Sequence, residues 1–436
     1  MPTHPETVTA TLPDTPPAGG GRTRPRAWLT PSLAAVALAA AGAGLGQFAV
    51  TAIVGDVAEA FGAPGAGDDL TSQIGLTATT LGVALAVIRL ASMGALPLTA
   101  AADRWGRRRT LLATMGTGLG LTALGALAPG FWFWVAAVAL ARPWLSTTNA
   151  LAGVVAAEDA GPRQRTTALA IVAATYGLGA GVVPVVRGIW PDASFRVVTA
   201  LALLPLLLMP MVARRLHEPE VFAASRSSLV ARARWLTAVP RSSRARLVAL
   251  AAVSAGVTVA TGPGFTYVFV YGEQVLGVST GAMAVLVLAA GPAGLVGLVT
   301  GRWLGDHVGR RPAAAAAMLT TAGGLVVAYR GEPVLLFVGY LVGVASAAAF
   351  GPPSGALATE AFPTDVRATA AGWAGAAGVL GGVAGLAAFG ALADAADGFA
   401  PAASALAVVV LVAVVPLWVL PETLGTDLAH VDGDVT

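Results

Sequence analysis

The chain has 436 residues, of which 56% are hydrophobic and only 11% are charged, and its mean hydropathy is +0.75. A soluble domain of this composition would expose far too much apolar surface, so most of the chain must lie in a lipid bilayer. The absence of cysteine excludes disulfides and thiolate metal sites. The net charge of +3 does not favour a nucleic-acid partner, because the arginines are not gathered on one soluble face.

Twelve apolar segments follow an arginine-containing N-terminal stretch, and each is long enough to cross a hydrocarbon core of about 30 Å as a helix. They are residues 31–55, 73–100, 110–128, 132–157, 166–190, 197–213, 247–271, 280–302, 312–329, 334–358, 367–393 and 400–420. Most arginines lie in the tail and in alternate loops. The positive-inside rule therefore predicts that both termini are cytoplasmic.

One long polar break, with eight arginines, divides the segments into two groups of six. The sequence thus predicts an all-α membrane protein built from two pseudo-symmetric six-helix bundles. A surface-lying helix is expected near 227–239, inside the linker. The predicted organisation is a disordered cytoplasmic tail at 1–28, an N-terminal bundle at 29–213, a cytoplasmic linker at 214–246, a C-terminal bundle at 247–421 and a cytoplasmic tail at 422–436.

Charged landmarks repeat between the two groups. Asp306 follows Asp103 by 203 residues. Glu360 follows Glu158 by 202 residues, and Arg367 follows Arg165 by the same number. Three landmarks in register indicate an internal duplication, and the even number of segments between them makes the repeats parallel in topology.

These landmarks carry a resemblance to the major facilitator superfamily that covers about residues 31–427. The turn Asp103-Arg104-Trp105-Gly106-Arg107-Arg108 resembles the signature loop between helices 2 and 3 of that superfamily, and Asp306-His307-Val308-Gly309-Arg310-Arg311 resembles its repeat between helices 8 and 9. The Glu and Arg seven residues apart after segments four and ten, with Pro421-Glu422-Thr423-Leu424-Gly425, are similar to the sugar and metabolite porter branch. However, Gly355 stands where that branch has a sugar-stacking Trp, which does not favour a hexose.

The resemblance implies a cytoplasmic gate, a set of ion pairs that ties the halves together when the outside is open. The alternative is that these charges only anchor loops and set topology. The predicted gate residues are Asp103, Arg104, Gly106, Arg107, Arg108, Glu158, Arg165, Asp306, Gly309, Arg310, Arg311, Glu360 and Arg367.

Charge inside a membrane costs about 2.5 kcal/mol or more, which makes arginines within the predicted spans functional candidates. Arg142 begins a polar stripe with Ser146 and Asn149 on helix 4, which the resemblance places at the central cavity. The predicted substrate-binding residues are Gln47, Arg89, Arg142, Ser146, Asn149, Tyr176, Thr261 and Tyr267. Alternatively, the two arginines bond backbone carbonyls at helix breaks beside proline.

No carboxylate falls clearly at mid-membrane. Asp56 and Glu273 lie at the ends of segments one and seven, so they are interpreted as loop or interface charges, and no proton-coupling acid is identified. Two candidate cavity arginines without a central acid indicate an anionic substrate.

The sequence shows no catalytic constellation and no phosphate-cradling loop, so the chain is not expected to be an enzyme or a primary pump. The prediction is a monomeric transporter in the bacterial inner membrane. It would move a small organic solute by proton-coupled symport, with the proton gradient as driving force and no cofactor. The alternatives are proton-driven efflux of drugs or metabolites and, more remotely, a membrane sensor that does not transport.

Overall fold

The computed structural model describes residues 30–160, 164–218, 241–362 and 366–425, apart from residues 64, 66 and 68. The N-terminal tail, the predicted surface helix of the linker and most of the C-terminal tail lie outside the described residues. Within those ranges the secondary structure is helical, without a strand. All twelve predicted spans form helices, so the predicted all-α membrane fold is confirmed.

The first half of the molecule, α1–α6, contains two interrupted helices, α2 and α6. Its elements are α1 (Pro31–Phe61), α2 (Ala78–Ala91 and Ala95–Trp105, joined by the 3-10 turn Ser92–Gly94), α3 (Arg107–Leu124, extended by the 3-10 turn Gly125–Leu127), α4 (Phe131–Asp159), α5 (Arg165–Ile189) and α6 (Phe195–Ala200, Leu203–Leu207 and Met209–Arg215). A short helix, Leu70–Ile74, lies between α1 and α2.

The second half, α7–α12, repeats this order. Its elements are α7 (Arg241–Thr266 and Val268–Val270, ending in the π-helical turn Tyr271–Val275), α8 (Thr280–His307), α9 (Arg310–Ala328), α10 (Pro333–Glu360), α11 (Arg367–Ala395) and α12 (Phe399–Val414, extended by the 3-10 turn Val415–Val419).

Several helices begin at capping residues that the sequence supplies. The side chain of Thr30 accepts a hydrogen bond from the backbone N–H of Leu33, and Pro31 occupies the first helical position of α1. Ser279 caps α8 in the same way. Caps of this kind satisfy backbone donors that a helix start leaves without an intrahelical partner.

Eleven of the described helices are long and apolar enough to cross a membrane. Helix α4 is 29 residues long, but Arg142, Pro143 and a short polar run at 146–149 lower its hydropathy. The helix that is least typical of a membrane span is thus the one that carries the predicted polar stripe.

The outer surface of the bundle suits lipid. Large apolar side chains such as Leu295, Val296 and Val299 of α8 are about two-thirds exposed. Exposed tryptophans lie at both ends of the bundle, Trp132 at the start of α4 and Trp105 at the end of α2. Tryptophan favours the two membrane–water interfaces, so these positions fit the edges of a bilayer.

Helices inside each half approach one another closely at glycines. A Cβ added to Gly297 of α8 would lie 1.8 Å from the carbonyl oxygen of Ala345 of α10, and one added to Gly301 would lie 2.0 Å from that of Ala349. In lipid, helices associate through such packing of small residues because there is no hydrophobic force between them. The two glycines therefore fix the spacing of α8 and α10.

We expect Gly297→Ala to destabilise the protein by about 1–3 kcal/mol, because the added methyl group must push α8 away from α10. Thermal unfolding of the purified protein in detergent measures the effect. Gly291→Ala in the same helix is the matched control, since a Cβ there meets no atom within 4 Å. Equal unfolding temperatures for the two variants would contradict the close-packing account.

Candidate functional site

The two repeated turns lie at one end of the bundle, which we call the charged-loop face. Each turn places a glycine immediately before a helix. Gly106 has φ 100° before α3, and Gly309 has φ 128° before α9. Side chains are strained at these φ values, so glycine is required at both positions. The side chain of Asp103 lies outside the described ones.

A carboxylate caps α3 in the first half. The backbone N–H groups of Arg107 and Arg108 donate to Glu218, which follows α6. The guanidinium of Arg108 also donates to the carbonyl oxygens of Ala213 and Leu216 at 2.8 Å. The start of α3 is therefore fixed to the end of α6.

The second half repeats this arrangement. The N–H groups of Arg310 and Arg311 donate to Glu422, which follows α12, at 2.7 and 3.0 Å. Partial burial opposes ionisation of Glu422, but backbone donors, including Thr423 and Leu424, hold its pKa below the ordinary value. Sequence reasoning missed the capping role of both acids. Their 204-residue separation was the available signal.

The ion pairs described at this face join residues of the same half. Arg107 lies 3.4 Å from Glu158 in the first half, and Arg310 lies 3.4 Å from Glu360 in the second. Arg310 also pairs with Asp306 at 2.6 Å. Both glutamates thus contact the arginine of the repeated turn.

The remaining predicted gate residues have different surroundings. Arg104 and Arg165 are exposed. Arg311 donates to the carbonyl oxygen of Leu420 at 3.0 Å, and Arg367 donates to that of Phe362 at 3.4 Å. We therefore still predict that the gate residues form ion pairs between the two halves, but in another conformation of the protein.

At the opposite end, which we call the Arg187 face, a network joins the two halves. Arg187 of α5 is 4% exposed, and its guanidinium donates to the carbonyl oxygen of Ala52 in α1 at 2.8 Å. It donates to Asp56 of α1 at 2.6 Å and to both carboxylate oxygens of Glu273 of α7 at 2.7 and 2.8 Å. Asp56 and Glu273 thus lie in helical turns and not in loops, and Glu273 reaches Arg187 from the other half.

A second cross-half contact at this face uses the start of α2. The N–H groups of Ala78 and Thr79 donate to the carboxylate of Asp394 in α11 at 2.8 and 2.7 Å. Asp397 accepts from the N–H of Leu70 at 3.0 Å. Two acids of the second half therefore satisfy helix-start donors of the first half.

The path of α2 shows that the halves separate toward the other end. Its first segment, Ala78–Ala91, packs along α11, and a Cβ on Gly82 would lie 2.5 Å from the carbonyl oxygen of Leu386. Its second segment, Ala95–Trp105, packs against α3 and α4 of its own half. The molecule is therefore sealed between the halves at the Arg187 face.

A cavity of about 40 Å³ lies between the halves. It is lined by Gln47, Val50, Thr51, Leu85, Ile88, Arg89, Arg142, Thr266 and Leu386. Three predicted substrate residues, Gln47, Arg89 and Arg142, meet here. Arg142 donates to the carbonyl oxygen of Gln47 at 3.3 Å.

The structure places the other predicted substrate residues elsewhere. Ser146, Asn149 and Tyr176 are half-buried on α4 and α5, outside the lining of this cavity. Thr261 lines a separate cavity within the second half. Tyr267 is fully buried, and its hydroxyl donates to the carbonyl oxygen of Ala78 at the Arg187 face.

Sequence reasoning did not assign a role to Arg187 or Asp394. Both lie near the ends of spans, where a charge is usually only solvated. The signal that was missed is their common level in the membrane. Asp56 and Arg187 of the first half and Glu273 of the second half all lie near the C-terminal ends of odd-numbered helices. Only the packing of α1, α5 and α7 brings the three together.

The Major Facilitator Superfamily model matches the chain over residues 36–305 and 288–430. No curated protein matches the sequence significantly.

Solved structures share the fold at low identity. The xylose transporter XylE from E. coli, in an inward open conformation, is 18% identical with a TM-score of 0.71, covering 92% of this chain and 98% of its own. A bacterial homolog to the human lysosomal transporter Spinster is 13% identical with a TM-score of 0.68, covering 89% and 95%. A D-xylose-proton symporter is 17% identical with a TM-score of 0.68, covering 91% and 99%. At such identities the likeness establishes the fold alone.

We expect Glu273→Gln to open the Arg187 face, because removing one partner of a buried ion pair costs about 3–5 kcal/mol. The chain has no cysteine, so Phe48→Cys provides a single reporter where α1 packs on Phe269 of α7. A membrane-impermeant maleimide should label it at least about tenfold faster in the Glu273→Gln background.

Asp56→Asn is the matched control for this reporter, since it leaves the pair between Arg187 and Glu273 in place. Equal labelling rates in the two backgrounds would show that Glu273 does not hold the halves together.

We expect Glu422→Gln to lower the stability of the second half by about 0.5–2 kcal/mol at neutral pH, because α9 loses a charged cap. The pKa of Glu422 is lowered from 4.5 in the folded protein. Its contribution is therefore complete above that value and is lost as pH falls through the folded pKa.

The measurement is the difference in unfolding temperature between wild type and Glu422→Gln at about pH 7 and about pH 4. The difference should shrink in acid. Glu218→Gln tests the equivalent cap of α3. A difference that stays constant with pH would rule out a charge-dependent cap.

Proposed function

The chain belongs to the Major Facilitator Superfamily and has its transporter fold, and from this premise we propose that it is a secondary active transporter working by alternating access. Its substrate is a small organic solute that binds between the two six-helix halves. Proton-coupled import is the proposed mode.

One observation carries the alternating-access proposal. Polar contacts join the halves at the Arg187 face, whereas the ion pairs described at the charged-loop face stay within one half. The central cavity lies between these ends and is lined by residues of both halves. A solute held there has a closed path on one side and diverging helices on the other, as one state of an alternating-access cycle requires.

We assign the charged-loop face to the cytoplasm of a bacterial cell, with both termini inside and the protein in the inner membrane. The arginine-rich loops support this orientation through the positive-inside rule. In that orientation the structure is an inward-open state, and the Arg187 network is the outer seal.

Proton coupling is supported by the chemistry of the seal. Three of the groups of the second half that hold the first half are carboxylates, Glu273, Asp394 and Asp397, beside the hydroxyl of Tyr267. Protonation removes the charge on which such contacts depend. The porter-like loop motifs and the shared fold with a D-xylose-proton symporter support import.

Efflux is the second candidate. Arg142-Pro143-Trp144-Leu145-Ser146 on α4 resembles the helix 4 motif of drug exporters, and Arg142 reaches the central cavity. The direction of flux driven by an imposed proton gradient separates the two modes.

We expect a disulfide across the Arg187 face to stop transport. A Cβ on Gly188 of α5 lies 3.0 Å from the Cβ of Ala284 of α8, so Gly188→Cys with Ala284→Cys can be bridged after a small adjustment. Proteoliposomes with an imposed proton gradient would be screened with acids, sugars and dyes. The oxidised double variant should lose the flux shown by the cysteine-free protein and regain it on reduction.

The two single-cysteine variants, treated with the same oxidant, are the controls. Undiminished flux through the cross-linked protein would overturn alternating access at this face. Absence of flux for every compound, with folded wild-type protein, would overturn transport and favour a sensor.

A further inference from the structure

The central cavity contains two arginines and no acid among its lining residues. We propose that it binds the oxyanion head group of an organic anion, a carboxylate or a phosphate ester, between Arg89 and Arg142. This inference rests on the proposed transport function and names the substrate class of the same site.

In the part of the chain that the structure describes, the two guanidiniums have no counter-ion. Neither Arg89 nor Arg142 forms an ion pair with a carboxylate among the described residues. The Nε of each is buried without a hydrogen-bond partner, as is that of Arg187, so the difference from Arg187 lies in the terminal nitrogens. Arg89 and Arg142 line the same cavity. Two like charges in a low-dielectric site are unfavourable, so an anion between them would be strongly stabilised.

Arg187 shows how this protein neutralises a buried arginine that serves structure. Its guanidinium meets two carboxylates and a backbone carbonyl. Arg142, by contrast, makes one described bond, at 3.3 Å, to the carbonyl oxygen of Gln47. A guanidinium has five N–H donors in a planar fork that matches an oxyanion, so Arg142 retains donors for a ligand.

The backbone of the second half leaves room for Arg89. A Cβ on Gly382 of α11 would lie 2.4 Å from the Nε of Arg89, so a side chain there would force Arg89 to move. Arg89 of the first half is thus seated against α11, next to Leu386 and Thr266 of the second half in the cavity lining. An anion held by Arg89 would therefore lie at the junction of the two halves.

The cavity accommodates a head group and excludes a larger ring system at this point. Its volume is about 40 Å³. Pockets that enclose drug-sized ligands are much larger, at about 300–1,000 Å³. Val50, Leu85 and Ile88 line the same space, so the first carbons of the solute would meet apolar side chains. The rest of the molecule would extend toward the open charged-loop face.

The test is ligand binding to the full chain, purified in detergent, by calorimetry and by thermal shift. Lactate and succinate form the carboxylate arm, glycerol phosphate forms the phosphate arm, and xylose is the neutral probe. We expect one anionic arm to bind and to raise the unfolding temperature. Arg89→Gln and Arg142→Gln should each weaken that binding at least about tenfold, because each removes charge-assisted hydrogen bonds.

Arg330→Gln is the matched control, since this arginine is exposed at the end of α9 and should leave binding unchanged. Arg142→Lys keeps the charge and tests binding if a glutamine variant fails to fold. It should retain more affinity than Arg142→Gln. Anion binding that survives both glutamine substitutions, or binding of xylose alone, would overturn the inference.

Flux of the same compounds into proteoliposomes separates this inference from the proposed function. Arginine-dependent anion binding without any flux would support the anion site and overturn transport. Flux of xylose but of no anion would support transport and overturn the anion site.

Discussion

A buried guanidinium at one end of the helix bundle constrains how the two halves can sit. Arg187 is almost fully removed from solvent, so its two terminal NH₂ groups must find acceptors inside the protein. Two acceptors, Ala52 and Asp56, belong to the first half, and the third, Glu273, belongs to the second. Arg187 keeps these three partners while α7 stays against α1 and α5. Separation of the halves at this end would leave Glu273 without its partner unless water or a proton replaced it.

The same logic extends across the sealed face, where carboxylates of the second half accept hydrogen bonds from the first half and the hydroxyl of Tyr267 donates one in return. Asp394 binds two backbone N–H groups at the start of α2, and Asp397 binds one at the short helix before it. Contacts of this kind are strong when dry and are readily replaced by water. A seal made of them can open and close, whereas an apolar interface of the same area would favour one state.

Within each half, by contrast, the contacts do not depend on the other half. Glu218 and Glu422 tie the repeated turns to the ends of α6 and α12, and Gly297 allows α8 to lie directly on α10. Each half is therefore fixed by its own caps and close helix crossings. The central cavity, with Arg89 and Arg142, lies where the two halves meet, so movement of one half against the other would change its access.

The sequence by itself determined the helices, their number and the duplication, because hydrophobic length and the spacing of Asp103, Asp306, Glu158 and Glu360 are properties of the chain alone. It also selected Arg142 and Arg89 as unusual, since charge in an apolar span is visible without coordinates. Tertiary structure decided which charges meet. Asp56, Arg187 and Glu273 lie far apart in sequence, and Tyr267 and Thr261 are ordinary polar residues of a span until packing assigns their surroundings. Helix periodicity gives the face on which a residue lies but not the neighbour opposite that face. Hence the pairing of charges across the halves required the folded molecule.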